Sequence, residues 1–159
     1  MKKNQHTPSY FNFSKTGMFP QEEMLEVERK RSRLVIGIPK DNPNVERRVA
    51  LTPEAVEILV NQGHEVIIES GAGEEANYQD HAYSENGGFI VNQKEQVYQC
   101  DIILRISPLS IEEIDYLKGD QIIFTALNLP QQEEEYIRKL MQKKVIAVAF
   151  EYLRDADNS

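Results

Sequence analysis

The feature that most constrains the fold of this chain is an alternation. From residue 34 onward, short β-branched runs are separated by segments with helical spacing. The runs are LVIGI at 34–38, EVIIE at 65–69, FIV at 89–91, DIILRIS at 101–107, QIIFTAL at 121–127 and VIAVAF at 145–150. Several are apolar on successive residues, the mark of strands covered on both faces. Strands alternating with helices predict an α/β fold: a doubly wound, mainly parallel sheet with helices on both faces and right-handed crossovers.

Helix punctuation supports the same plan. In TPEAVEILVNQG, Thr52 is the expected N-cap, Pro53 the first helical residue and Gly63 the stop, with Val56, Leu59 and Val60 as the apolar stripe. Further helices are expected at 80–86, 94–99, 111–117 and 131–143, the last with Tyr136, Ile137, Leu140 and Met141 on one face. Ahead of the alternation, PQEEMLEVERKRSRL predicts a short helix over 21–33 within an N-terminal extension, residues 1–33. Its Arg29, Lys30 and Arg31 alternate with glutamates and read as a solvated, self-paired face.

Charge and composition narrow the partners. A formal net charge of −8 disfavours nucleic acid and anionic membrane surfaces, and no apolar run approaches a membrane span, so a cytoplasmic protein is expected. The single cysteine, Cys100, fits a buried residue beside a strand, and His6, His64 and His81 lack metal-ligand spacing.

Ligands of doubly wound sheets collect beyond the carboxyl ends of the strands. Residues expected there are Pro39, Lys40, Asp41 and the arginine loop, then Ser107 and Pro108, Asn128, and Glu151 with Tyr152. Arg105 falls within an apolar run, so its guanidinium requires an anionic partner, either a protein carboxylate or a substrate. Glu151 reads as an ion-pair partner for an arginine or as a site residue. The stretch SGAGEEANY matches a dinucleotide fingerprint through Gly71, Gly73 and Ala76, but Glu74 and Glu75 would oppose a pyrophosphate. Gly71 and Gly73 are better read as a tight connection.

The run IGIPKDNPNVERRVALTPEAVEILVNQGHEVIIESGAGEEANY resembles the opening of the alanine dehydrogenase and nicotinamide nucleotide transhydrogenase family, and DIILRISP, QIIFTALNLP and VIAVAFEYLRD resemble later landmarks in order. The resemblance covers about residues 34–155 and is closest to bacterial alanine dehydrogenase. It implies a flavodoxin-like substrate domain over 34–159, followed in family members by a Rossmann domain that binds NAD and is absent from these 159 residues. Such enzymes interconvert L-alanine with pyruvate and ammonia by hydride transfer and are often homo-oligomers. By resemblance, Arg48 matches the arginine that pairs with the substrate carboxylate, whereas Arg47 does not. Arg105 takes the place of a substrate-contacting lysine, Asn128 that of an acid–base histidine, and Glu151 that of a glutamate near the substrate. Asparagine cannot transfer a proton and arginine stays charged, so a carboxylate-binding or regulatory module without catalysis is the alternative. An oligomerisation scaffold is a third, its cue being Met24, Leu25 and Val27.

Overall fold

A computed structural model describes residues 33–154. The helix expected over 21–33 and its apolar residues therefore lie outside the described residues, Arg33 excepted. Six strands form one sheet in the order β3-β2-β1-β4-β5-β6, every neighbouring pair parallel. They are β1 (Val35–Ile38), β2 (Glu65–Glu69), β3 (Phe89–Val91), β4 (Ile102–Leu104), β5 (Ile122–Thr125) and β6 (Ile146–Ala149). Without the short edge strand β3 the order is the flavodoxin-like one; with it, the order is that of doubly wound dinucleotide-binding sheets. The order reverses between β1 and β4, which meet through two residue pairs, Ile36 with Ile102 and Gly37 with Ile103.

Five helices connect the strands: α1 (Pro53–Asn61), α2 (Asp80–Glu85), α3 (Lys94–Val97), α4 (Ile111–Asp115) and α5 (Glu134–Gln142). Period-two alternation divides their packing. Ile36, Ile38, Val66 and Ile68 join Val56 of α1 and Tyr83 of α2 in one buried cluster, while Ile103 and Ile123 join Tyr98, Ile114, Tyr136 and Leu140 in another. Each face of the sheet thus carries helices. Gly37 makes room for α3, because a Cβ there would lie 2.5 Å from the Val97 carbonyl oxygen. Cys100 is buried beside β4, and burial pushes its thiol up to about 12.

Local chemistry explains the helix ends. The Thr52 hydroxyl accepts from the Ala55 N–H at 3.4 Å, Pro53 opens α1, and Gly63 turns the chain out at φ +92°. At α5 the start lies three residues later than the sequence suggests. Leu129–Gln131 form a 3-10 turn around Pro130, then Gln132 and Glu133 are extended. Met141, expected on the apolar face of α5, is 73% exposed and does not join Tyr136 and Leu140 in the core. The face is narrower than its sequence spacing implied. No helix among the described residues is long and apolar enough to cross a membrane.

Candidate functional site

The carboxyl ends of β1 and β4 are joined by an ion cluster. Leaving β1, the chain places the Asp41 carboxylate across the end of β4, where Oδ1 accepts from Arg105 Nε at 2.8 Å and from Ser107 Oγ, and Oδ2 accepts from the Ile106 N–H at 3.3 Å. This insertion explains why the strand expected over 101–107 ends at Leu104: Arg105 still bonds Phe124 of β5 and Ile106 bonds Ala126 just beyond it, but on the β1 side a carboxylate replaces the strand. Arg105 is 6% exposed, and its Nη1 donates to Glu113 Oε2 at 2.5 Å and to the Tyr98 hydroxyl at 3.0 Å. Burial works against the charged guanidinium, yet Tyr98, Glu113 and Asp41 outweigh it and raise the Arg105 pKa.

Glu113 is positioned by a capping box. The Ser110 hydroxyl accepts from the Glu113 N–H at 3.2 Å and Glu113 Oε2 accepts from the Ser110 N–H at 2.7 Å, which starts α4 and aims the carboxylate at Arg105. Burial raises the Glu113 pKa, but the Ser110 N–H and Arg105 lower it further, leaving a net depression. Beside this cluster opens a crevice of about 400 Å³ lined by Asn42, Lys94, Arg105, Ser107, Ser110 and Glu113, among others. It lies where the strand order reverses, the expected place for a ligand.

Arg48 makes no bond to the cluster, although the Asp41 charge reaches it and, after Glu46, helps to raise its pKa. Its Nε and Nη2 donate to the two oxygens of Glu46 at 2.8 and 2.7 Å, and its backbone N–H donates to Oε1 at 2.9 Å. These bonds from Arg48 hold the Glu46 carboxyl down at about 2, and the side chain of Arg48 is 74% exposed. Arg47 is exposed and makes no ion pair among the described residues.

The ends of β5 and β6 form a second meeting point. Asn128 has left-handed backbone geometry, φ 46° and ψ 44°, and its N–H donates to Glu151 Oε1 at 2.9 Å. Neither Arg48 nor Arg105 bridges Glu151. The structure therefore joins Asp41, Arg105 and Ser107 at one place and Asn128 with Glu151 at another, with no bond from Arg48 to either. Sequence reasoning missed Glu46, Tyr98 and Glu113. The spacing of Ser110 and Glu113 carried a helix-start signal, but nothing local tied it to Arg105.

The glycine stretch is a connection. Gly71 takes φ +76°, its N–H donates to Asp80 Oδ1 at 2.8 Å, and Lys40 Nζ reaches Glu74 at 3.1 Å. A 3-10 turn, Glu74–Ala76, follows instead of an α-helix, so these residues do not fit a pyrophosphate.

Comparison with known proteins bears on the domain as a whole. Residues 37–159 match the family model described as "Alanine dehydrogenase/PNT, N-terminal domain". An alanine dehydrogenase of Staphylococcus saprophyticus is 39% identical over 126 residues, covering 79% of this chain and 34% of that protein. One from Staphylococcus epidermidis is 36% identical over 124 residues, covering 78% and 33%. Among solved structures, an L-alanine dehydrogenase superposes with TM-score 0.74 at 32% identity, over 79% of this chain and 35% of its own. A transhydrogenase from Sinorhizobium meliloti gives TM-score 0.68 at 26% identity, over 74% and 35%. The chain spans about a third of the length of these relatives.

Proposed function

The chain belongs to the alanine dehydrogenase/PNT N-terminal-domain family, and from that premise we propose that residues 34–159 form the substrate-binding domain of an NAD-dependent oxidoreductase, with residues 1–33 as an extension. The substrate is a small carboxylate of the alanine and pyruvate type, and the parent protein interconverts an amino acid with its 2-oxo acid and ammonia as a homo-oligomer. One observation carries the proposal: in a chain of this family, Arg48 lies in the loop between β1 and α1, where substrates of such sheets collect, with its side chain open to solvent.

Each site residue has a role in this reading. Arg48 grips the carboxylate. Arg105, already held by Asp41 and Glu113, positions the loop and the crevice more than it binds charge. Asn128 offers hydrogen bonds but no transferable proton, and Glu151 braces the Asn128 backbone. NAD supplies the hydride acceptor and is held outside residues 33–154, since the glycine connection does not fit it.

The test is binding by the purified 159-residue chain. Pyruvate should shift the backbone amide resonances of the 41–49 loop, Arg48→Ala should abolish those shifts, and L-alanine with NAD should yield no NADH. Unchanged shifts in Arg48→Ala, or robust NADH formation, overturn the proposal. A carboxylate-binding or regulatory module without catalysis is the second reading, favoured by Asn128. Turnover of any amino acid by the full reading frame with NAD would eliminate it.

A further inference from the structure

Among the described residues, Arg48 is held by one edge only. A guanidinium presents five N–H donors in a planar fork. Glu46 takes Nε and one Nη2 hydrogen, which leaves the end-on pair, Nη1 with the other Nη2 hydrogen. No described residue accepts from that edge. The exposures differ in the same sense, 74% for the Arg48 side chain against 13% for that of Glu46.

Glu46 is itself braced by the turn that precedes it. The Asn42 carbonyl accepts from the N–H groups of Val45 and Glu46, each at 2.9 Å, and the Asn42 side chain accepts from the Asn44 N–H at 3.0 Å. Asn42 follows Asp41, which is anchored to Arg105 and Ile106. A path of contacts thus runs from the buried arginine to the exposed one, and Glu46 is its last link.

The pairing has two effects. It cancels the Arg48 charge, so an anion drawn by charge alone meets a neutral pair, already screened by water and salt. The free edge still offers two parallel N–H donors, which a planar carboxylate meets with two linear bonds while a spherical ion sits between them with both bonds bent. We propose that Glu46 is the specificity-determining residue of the Arg48 site, selecting planar carboxylates over anions held by charge alone. The inference rests on Arg48 being the carboxylate-binding residue.

The experiment titrates the isotope-labelled chain with pyruvate and, separately, with chloride, at ionic strength held constant with fluoride, following the amide resonances of residues 48 and 49. Glu46→Gln and Glu46→Ala should keep the dispersion of the remaining resonances yet narrow the preference for pyruvate over chloride by about fivefold or more, since the two-point fork is no longer oriented. An unchanged preference in both variants, with pyruvate binding still dependent on Arg48, overturns the inference alone. Pyruvate binding that is absent, or indifferent to Arg48→Ala, overturns the reading of the site and the inference with it.

Discussion

Replacing Arg105 by methionine removes the cation that bridges Asp41 and Glu113 while keeping much of the side-chain volume. Removing one partner from a buried ion pair costs about 3–5 kcal/mol, because the remaining charge stays desolvated. Here the stranded carboxylates retain some donors. Asp41 keeps Ser107 Oγ and the Ile106 N–H, and Glu113 keeps the Ser110 N–H. The lower end therefore applies, about 3 kcal/mol, a large fraction of the roughly 5–15 kcal/mol that stabilises a domain. With a urea dependence of about 1.5 kcal/mol per molar, the unfolding midpoint at neutral pH should fall by about 2 M.

The loss should also depend on pH in a definite sense. The folded-state pKa of Glu113 is depressed, burial being outweighed by the Ser110 N–H and Arg105. Its stabilisation is present above the unfolded carboxyl pKa and disappears as pH falls through the folded one. Arg105→Met removes the arginine's share, so the gap between wild type and variant should narrow as pH falls through and below the ordinary carboxylate range. Urea unfolding followed by circular dichroism at neutral and acid pH measures both effects. A neutral-pH shift under about 0.5 M, or a deficit undiminished in acid, refutes the assignment of the cluster as a desolvated ion network.

Two other perturbations probe the scaffold. Gly37→Ala puts a Cβ 2.5 Å from the Val97 carbonyl oxygen and 3.0 Å from Cys100 Sγ, and the crowding should lower the thermal midpoint by about 5–10 °C; an unchanged melting curve would show that α3 moves aside freely. Cys100, with its thiol pushed up to about 12 by burial, should resist iodoacetamide at pH near 8 in the folded chain and react once urea unfolds it. Rapid labelling of the folded chain would contradict its burial.

What could be read from the sequence was whatever depends on near neighbours. Thr52, Pro53 and Gly63 bracket α1 through local hydrogen bonding and backbone preference, and the β-branched runs announced six parallel strands. Arg105 illustrates the boundary. Its apolar setting demanded an anion, but which anion depended on a loop 64 residues earlier and a helix 8 residues later. The early end of β4 has the same origin, since only a folded sheet shows Asp41 standing where β1 would continue. Met141 failed for a different reason: spacing assigns a face to a helix, while the width of its neighbours decides how much of that face is covered. Glu46 was overlooked because it is two residues from Arg48, a separation that suggests no pairing on a helix but closes readily in this loop.

The narrow contact between β1 and β4 has a consequence for how the fold comes apart. Two residue pairs join the half-sheets there, against four in each of the pairings β1 with β2 and β5 with β6. Asp41 and Arg105 span the same line, so parting the strands and breaking the ion cluster are one event. The clasp couples the two half-sheets across their narrowest seam, so amides on both sides of it should share one level of hydrogen-exchange protection, while the exposed turn beyond Asp41 that carries Arg48 is free to open locally.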